Sequence, residues 1–338
     1  MSGEGLTVAV TGPTGEIGAP FMDALERTPE VARVVAMARR PFDPADRGWT
    51  KAEYRQGDIL DREAVESLVA GADAVVHLAF IVVKATADSY DINVEGSRNV
   101  FEATVAAGAP RLVYTSSVAA YGYHRDDDGP LREDMPPRGT EAHAYSHQKA
   151  AVEVALAAAL DGRDATAAYV FRPCVVAGPQ APALIDQLPY LRLEQRLPDA
   201  LLRGLAKVPG AKPVLPDHGI PFQLVHHDDV ADALVAAVLG RGEPGIYNLA
   251  ADGALTLSEL AAALGWHSVP VPKATVDVAA EVLGRLPVME VEAGWLEAAR
   301  TSMAMDTTRA REQLGWTPAY DSRETLESLV AARRRQAE

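Results

Sequence analysis

A tyrosine and a lysine four residues apart are the side chains of this sequence best suited to chemistry. Tyr145 and Lys149 lie in the stretch Tyr145-Ser146-His147-Gln148-Lys149, and residues four apart share one face of a helix. A nearby ammonium stabilises tyrosinate, so we expect Lys149 to lower the pKa of Tyr145 from about 10 towards working pH. Such a tyrosine can move a proton to or from an alcohol or carbonyl oxygen.

A glycine-rich turn and a serine pair precede these two residues. The turn reads T-G-P-T-G-E-I-G over residues 11–18, and the pair is Ser116-Ser117. The turn follows a strand-like apolar run and opens a helix, whose N-terminal N–H groups can bind phosphates. Gly12 permits the tight turn, Gly15 lets a pyrophosphate approach the backbone, and Gly18 allows close helix–strand packing. The three motifs in this order predict a dinucleotide site beside a proton-transfer site.

The elements that position these motifs alternate between strands and helices. Strands are predicted at residues 6–10, 33–38, 53–56, 74–78, 111–115, 165–171, 222–226 and 245–249. Helices are predicted at 15–27, 61–69, 89–107, 142–160, 228–239, 256–264 and 275–283. This alternation predicts an α/β fold with a doubly wound parallel sheet, the Rossmann arrangement. We expect a Rossmann core with the active site over residues 1–175. A smaller, mainly substrate-binding C-terminal region is expected over residues 176–330, with residues 222–250 returning to the core.

Two arginines at the end of the second predicted strand bear on the choice of cofactor. Ala38 stands where a site for the unphosphorylated nicotinamide cofactor usually has an acid that contacts the ribose. Arg39 and Arg40 follow, and guanidinium pairs well with a 2′-phosphate. We therefore favour NADP over NAD. The alternatives are a solvated basic pair at a strand end and a ribose contact from Asp43 or Asp46.

The composition of the sequence argues against some classes of partner. The formal net charge of −15 opposes nucleic acid or an anionic membrane as a partner, because phosphate binding needs basic patches. No apolar run reaches the roughly 18 residues of a membrane span, and the first residues lack a secretory signal. The one cysteine, Cys174, excludes an internal disulfide and is expected to be buried in an apolar strand. We expect a cytoplasmic protein.

The motifs together resemble those of the extended short-chain dehydrogenase/reductase family, also described as the NAD-dependent epimerase/dehydratase family. The resemblance covers nearly the whole chain. It rests on the glycine turn, Gly57-Asp58-Ile59, His77-Leu78-Ala79-Phe80, Asn93-Val94-Glu95-Gly96, residues 114–122, Arg172-Pro173 with Gly178-Pro179, residues 225–231 and the L-G-W-T-P of residues 314–318. Phe80 departs from the family's H-L-A-A.

The resemblance implies roles for individual residues. Ser117 would hydrogen-bond the substrate oxygen, Tyr145 would be the acid/base, and Lys149 would hold the nicotinamide ribose. Residues expected to contact the cofactor are Gly12, Thr14, Gly15, Glu16, Ile17, Gly18, Arg39, Arg40, Asp58, Ile59, Leu78, Ala79, Phe80, Asn93, Thr115, Tyr145, Lys149, Pro173, Val175 and Val176. Residues expected to contact the substrate are Ser117, Tyr121, His143 and Tyr190. Taken singly, Ser117 could merely cap a turn and Tyr121 could be a core residue.

No metal site is expected. His226 and His227 precede Asp228, a good N-cap residue, and adjacent side chains rarely share one metal. We interpret the two histidines as packing and capping residues.

Departures from the family pattern narrow the reaction. Val118-Ala119 follow Ser117, where sugar-nucleotide dehydratases of the family carry an Asp-Glu pair, which argues against dehydration. Val175 replaces the asparagine with which sugar-nucleotide epimerases contact the nucleotide, and valine makes no hydrogen bond. Residues 181–208 are rich in leucine and proline, and we expect an apolar pocket or lid there.

These observations favour an NAD(P)-dependent reductase or dehydrogenase. Hydride would pass between the nicotinamide and a carbonyl or alcohol of a small, largely apolar substrate. The alternatives are an NAD-dependent epimerase of a sugar derivative and a non-catalytic NAD(P)-binding regulator. The resemblance also implies a homodimer formed through the helices at residues 89–107 and 142–160.

Overall fold

A seven-stranded parallel sheet forms the centre of the computed structural model, which describes residues 5–82, 87–123, 129–186, 213–271 and 301–337. Its strands are β1 (Leu6–Thr11), β2 (Val31–Ala38), β3 (Ala52–Gln56), β4 (Ala74–His77), β5 (Arg111–Thr115), β6 (Ala167–Pro173) and β10 (Gly245–Leu249). Their spatial order is β10-β6-β5-β4-β1-β2-β3. The order reverses between β1 and β4, which is the point where doubly wound sheets bind dinucleotides. The predicted fold class is confirmed.

Helices cover both faces of this sheet. The helices α1 (Gly18–Arg27) and α7 (His227–Val238) pack on one face, and α2 (Arg62–Val69), α4 (Gly96–Ala106) and α5 (Ala144–Leu160) on the other. Successive strand residues point to opposite faces, so Val8 and Val10 join the first core while Ala9 joins the second. Both cores are built from buried apolar side chains, which pack the helices against the strands.

The helix predicted at residues 89–107 is interrupted. It consists of α3 (Ala87–Tyr90), a π-helical turn over Asp91–Glu95, and α4. Gly96 begins α4 where a side chain would collide with Ile59, since an added Cβ would lie 2.6 Å from the Ile59 Cδ1 atom. The helix ends as predicted at Gly108, which has a φ of +68°.

The C-terminal region adds two small parallel sheets and a third core. The strand β7 (Val175–Ala177) pairs with β9 (Leu224–His226), and β8 (Val214–Asp217) pairs with β11 (His267–Pro270). The helices of this region are α6 (Ala183–Asp186), α8 (Leu257–Leu264), α9 (Thr308–Gln313) and α10 (Ser322–Ala337). Leu215, Leu260 and Leu326 pack together in this core.

Some predictions fall outside the described residues. A helix predicted at residues 275–283, most of the expected lid at residues 181–208 and the pocket residue Tyr190 lie there. Within the described residues, every helix is too short or too polar to cross a lipid bilayer.

Candidate active site

The glycine turn after β1 is built by close backbone contacts. Gly12 has a φ of +72°, and an added Cβ would lie 2.7 Å from the Ala79 amide nitrogen. An added Cβ on Gly18 would lie 2.1 Å from the Gly12 carbonyl oxygen. The tip of the turn at Thr14 and Gly15 is exposed, and Gly15 would meet no atom closer than 3.5 Å. The turn therefore packs at its base and is open at its tip.

A chain of hydrogen bonds fixes the turn against the end of β4. The Ser97 hydroxyl donates to the Asn93 carbonyl, so it accepts from Nε2 of His77 at 2.8 Å. The Nδ1 atom of His77 then accepts from the Thr11 hydroxyl at 2.7 Å, and that oxygen accepts from the Leu78 and Ala79 amides at 3.3 Å. Burial lowers the pKa of His77 to about 3, so its ring is neutral.

The end of β2 carries the two arginines of the predicted cofactor preference. Arg39 and Arg40 are both exposed, and among the described residues no carboxylate forms an ion pair with either. Asp43 is engaged as an N-cap, because its side chain accepts from the Ala45 amide at 2.9 Å. Both guanidinium groups therefore remain available to an anion.

The residues after β3 lie beside this strand end. Asp58 is half-buried and accepts from the Leu60 amide at 3.0 Å. Ile59 is 6% exposed and packs against Gly96, so its side chain belongs to the core.

The predicted cofactor contacts at the end of β6 differ in how far their side chains are exposed. Pro173 is buried, Val175 is exposed and Val176 is half-buried in β7.

Ser117 and Tyr145 meet at the carboxyl end of β5. The Ser117 hydroxyl caps a short 3-10 helix by accepting from the Ala119 amide at 3.2 Å, and it lies close enough to the Tyr145 phenol to affect the pKa of that group. Tyr145 lies in the first turn of α5, where His143 caps the helix by accepting from the Ser146 amide at 3.3 Å. Ser117 therefore both caps the 3-10 helix and lies beside the Tyr145 phenol.

Lys149 lies one turn further along α5 and is 4% exposed. Its ammonium donates to the Thr115 carbonyl at 2.9 Å and to the Tyr114 hydroxyl at 3.4 Å. The same nitrogen lies 3.8 Å from the centre of the Phe80 ring and 5.9 Å from the centre of the Tyr145 ring. Burial lowers the pKa of Lys149 to about 7, against the attraction of Glu153.

The expected lowering of the Tyr145 pKa is wrong for this arrangement. Burial raises the pKa of Tyr145, and the neighbouring Ser117 hydroxyl opposes this in part. Lys149 does not offset the burial, because its ammonium is directed at Thr115 and Tyr114 and is itself only partly charged near neutral pH. The phenol is therefore protonated at neutral pH.

Aromatic rings surround Tyr145. The Phe80 ring meets it edge-on with centres 5.6 Å apart, and the His143 ring lies 6.4 Å away. Tyr123 lies 5.0 Å from His143 on its other side. His147 is exposed, as expected of a solvated helix position.

The side chains of two predicted contact residues, Tyr121 and Asn93, are buried and engaged within the protein. Tyr121 is 4% exposed, its hydroxyl donates to the Asn248 side chain at 2.7 Å, and the Arg172 guanidinium covers its ring at 4.3 Å. Asn93 is 0% exposed, and its amide bonds both backbone groups of Ile81 and the Gln148 side chain. Both side chains are therefore held in place by partners within the protein.

The side chain of Glu16, a predicted cofactor contact, is engaged with α6. Its carboxylate accepts from the Ala183 amide at 3.1 Å and so links the glycine turn to α6. Burial raises its pKa. Its backbone remains in the turn beside Ile17, which is half-buried.

Sequence reasoning missed a buried ion pair beneath the site. Arg172 on β6 is 0% exposed and donates to both carboxylate oxygens of Glu153 on α5, at 3.0 and 2.6 Å. Ser116 donates to the same carboxylate, and Arg172 also donates to the Met135 carbonyl at 3.1 Å. A glutamate four residues after Lys149 was the only signal in the sequence.

The His226-His227-Asp228 cluster is engaged in hydrogen bonds. His226, not Asp228, is the N-cap of α7, and its Nδ1 atom accepts from the Asp228 amide at 3.2 Å. Nε2 of His227 accepts from the Gln180 amide at 3.2 Å, so Nδ1 carries the proton that goes to Asp228 at 2.9 Å. The ligand atoms lie within 4.8 Å of one another, but both nitrogens of His227 already have partners.

The residues present fit a dinucleotide. The helix α1 begins at Gly18 without a side-chain cap, and its N-terminus lies at the switch point of the sheet, where a positive dipole end favours phosphate. The buried hydroxyl of Thr115 has no hydrogen-bond partner among the described residues, and the carbonyl of the same residue accepts from the Lys149 ammonium.

Cys174 is not part of this site. It is buried and its pKa is raised by burial, so it is an inert core residue.

A model of the NAD dependent epimerase/dehydratase family matches residues 8–250. The chain belongs to this family. The resemblance inferred from the motifs is thereby confirmed.

Curated relatives extend the match over most of the chain. The uncharacterized protein y4nG of Sinorhizobium fredii is 28% identical over 95% of this chain and 76% of its own length. A Mycobacterium tuberculosis relative, also uncharacterized, is 30% identical over 97% of this chain, but the chain spans only 30% of that protein. Sterol demethylase protein B of Methylococcus capsulatus is 31% identical over 62% of each chain.

Solved structures share the fold. A short-chain dehydrogenase/reductase superfamily protein from Agrobacterium tumefaciens with bound NAD has a TM-score of 0.72, with 22% identity over 98% of both chains. UDP-glucose 4-epimerase from Thermotoga maritima has a TM-score of 0.71, with 22% identity over 98% of this chain and 100% of that chain.

The two glycines at the base and tip of the turn provide a test of the dinucleotide site. Gly18→Ala is expected to lower the free energy of unfolding by about 1–3 kcal/mol, because its methyl group collides with the Gly12 carbonyl. Gly15→Ala is expected to leave stability unchanged and to weaken NAD(P)H binding, because its methyl group occupies the open tip. Urea unfolding of both variants measures the change in stability, and cofactor titration measures the change in NAD(P)H affinity. Equal cofactor affinity in Gly15→Ala and wild type would contradict the placement of the pyrophosphate.

Proposed function

We propose that the protein is an NAD(P)-dependent oxidoreductase that interconverts a carbonyl and an alcohol on a small, largely apolar substrate. The observation that carries this proposal is that Tyr145 and the buried Lys149 lie one turn apart on α5, with the Ser117 hydroxyl close enough to the phenol to affect its pKa. These three groups lie at the carboxyl ends of the strands, next to a turn that fits a dinucleotide. When bound, the nicotinamide supplies or accepts the hydride.

The three side chains divide the remaining work. Because its pKa is raised, Tyr145 holds its proton at neutral pH and is suited to protonate a carbonyl oxygen as hydride arrives at the carbon. Ser117 donates a second hydrogen bond that fixes this oxygen. Lys149 is placed to hold the ribose hydroxyls and to stabilise the tyrosinate that the proton transfer leaves behind.

The surroundings of Tyr145 favour an apolar substrate. The Phe80 ring replaces a small residue of the family pattern and contacts both Tyr145 and Lys149. Val175 provides no hydrogen bond where family epimerases have an asparagine. The similarity to a protein named for sterol demethylation supports the same class of substrate.

An NAD-dependent epimerase of a sugar derivative is the second candidate. It is favoured by the shared fold with UDP-glucose 4-epimerase, whose structure contains UDP-glucose. A panel of apolar ketones and aldehydes, run with NADPH and NADH, separates the candidates. A reductase consumes the cofactor stoichiometrically, whereas an epimerase keeps a tightly held nucleotide and shows no net consumption. Cofactor binding with no reaction of ketones, aldehydes or nucleotide sugars would instead support a regulator.

We also propose that the protein prefers NADP. The support is the pair of exposed arginines without ion-pair partners among the described residues and the absence of an acid at Ala38. The double variant Arg39→Ala/Arg40→Ala is expected to weaken NADPH binding about 10–100-fold, the loss expected for one or two charge-assisted hydrogen bonds, and to leave NADH binding unchanged.

The matched control is Arg33→Ala. Arg33 lies near the start of β2 and pairs with Glu53, so its loss is expected to change neither affinity. Isothermal titration with NADPH and NADH measures the ratio of the two dissociation constants. Tighter binding of NADH than NADPH by the wild-type protein would overturn the preference.

A further inference from the structure

We propose that Phe80 competes with the nicotinamide ribose for the Lys149 ammonium and thereby sets how tightly the site holds its cofactor. This role rests on the proposed function, in which Lys149 holds the ribose hydroxyls, and extends it to a residue outside the three catalytic groups. Phe80 stands where the H-L-A-A pattern of the family has a small alanine, so the competing ring is a feature of this chain and not of the pattern.

The Phe80 ring covers one side of the ammonium. The Nζ atom of Lys149 lies 3.8 Å from the ring centre, well within the range of a cation–π attraction. The same ring meets Tyr145 edge-on, with ring centres 5.6 Å apart and planes at 88°. A hydroxyl that accepted a hydrogen bond on the covered side would lie about 2.9 Å from Nζ. That point is within the thickness of the ring, so the ring and a ribose hydroxyl exclude each other.

The rest of the ammonium is directed at β5. An ammonium carries three N–H donors, and two of them go to the Thr115 carbonyl at 2.9 Å and the Tyr114 hydroxyl at 3.4 Å. Both residues are buried, so they close their side of the ammonium to a ligand. Phe80 is only half-buried. The third donor is therefore the one that a ligand can reach, on the side that the ring covers.

The backbone on both sides of Phe80 is held, so the ring leaves the ammonium by side-chain rotation. The Ala79 amide donates to the Thr11 hydroxyl at 3.3 Å. The Ile81 amide donates to the Asn93 side chain at 2.8 Å, and the Ile81 carbonyl accepts from the same side chain at 3.0 Å. A change of χ1 rotamer turns the ring by about 120° without breaking these bonds. The apparent dissociation constant of the cofactor then rises as the fraction of molecules with an uncovered ammonium falls.

The test is the affinity for the reduced cofactor, which needs no substrate. Phe80→Leu keeps an apolar side chain for packing against the core and removes the aromatic face. This variant is expected to bind the preferred cofactor about 2–30-fold more tightly, the factor that corresponds to the usual strength of a cation–π attraction. Phe80→Tyr keeps the face and is expected to match the wild type. A loss of packing alone would weaken binding, so the direction of the change separates competition from a structural role.

Fluorescence titration with NADPH and NADH gives the dissociation constants, and two controls assign the change to Lys149. In the Lys149→Met background no ammonium remains, so adding Phe80→Leu is expected to leave the affinity unchanged. Val82→Ala alters an exposed side chain two residues further along the same segment, and its affinity is expected to equal that of the wild type. A gain in affinity from Phe80→Leu that persisted without Lys149 would contradict the competition.

The position of the ring is followed in the wild-type protein by NMR with lysine labelled with ¹³C at Cε. The ring current of Phe80 is expected to shift the Lys149 signal upfield, and Lys149→Met identifies that signal by its loss. Saturation with the preferred cofactor is expected to abolish the upfield shift, because the ring leaves the ammonium.

Two results would overturn this inference alone: an upfield shift that survives saturation, or a folded Phe80→Leu protein that binds the cofactor no more tightly than the wild type. A wild-type protein that binds neither NADPH nor NADH would overturn the proposed function and, with it, the inference.

Discussion

Tyr145→Phe is expected to reduce kcat by about 10²–10⁴-fold, the contribution usual for a positioned general acid. The substitution removes one oxygen and keeps the ring that packs against Phe80 and His143. We therefore expect the dissociation constant of the cofactor and the melting temperature to stay close to the wild-type values. Steady-state kinetics with the best substrate of the panel, together with cofactor titration, measure the effect.

Tyr90→Phe is the matched control for this experiment. Tyr90 is 40% exposed and stacks on the exposed His147, away from Ser117. The kcat of the Tyr90→Phe variant should equal that of the wild type. A Tyr145→Phe protein that folds, binds the cofactor and retains full turnover would show that another group carries the proton.

Arg172→Met is expected to lower the free energy of unfolding by about 3–5 kcal/mol, the range found when one member of a buried ion pair is removed. The reason is that Glu153 would remain buried with only the Ser116 hydroxyl as a donor. Tyr121 would also lose the guanidinium that covers its ring. Urea unfolding followed by circular dichroism gives the difference.

An ion pair on the surface provides the control for Arg172→Met. Arg33 and Glu53 form an ion pair with side chains that are 50% and 45% exposed, so Arg33→Met is expected to cost no more than about 1 kcal/mol. In the double variant Glu153→Gln/Arg172→Met the loss should be smaller than the sum of the single losses, because no unpaired charge remains. Equal stability of Arg172→Met and Arg33→Met would show that water reaches the buried pair.

Local patterns were sufficient to predict the sheet and the glycine turn. Apart from β3, the strands of the main sheet are short, mainly apolar runs, and each strand was predicted to within a few residues of its observed bounds. Asp61 was predicted to begin α2, and its carboxylate does accept from the Glu63 and Ala64 amides. These signals depend on neighbours within a few residues, which a sequence displays directly.

Features that depend on partners far along the chain could not be predicted in this way. The Tyr121 hydroxyl donates to the side chain of Asn248, 127 residues away. The amide of Asn93 is taken by Ile81 and Gln148, and the π-helical turn that presents it has no sequence signature that we could identify. The direction of the Lys149 ammonium likewise depends on where β5 places the Thr115 carbonyl.

The last strand of the main sheet has a consequence for biosynthesis. The strand β10 pairs with β6 through residues such as Gly245 and Tyr169, so the ribosome must complete much of the C-terminal half before this edge is covered. Until then β6 presents unpaired backbone groups, a template for association with other chains. A nascent chain thus exposes an aggregation-prone edge, and premature termination before residue 245 would leave it exposed permanently.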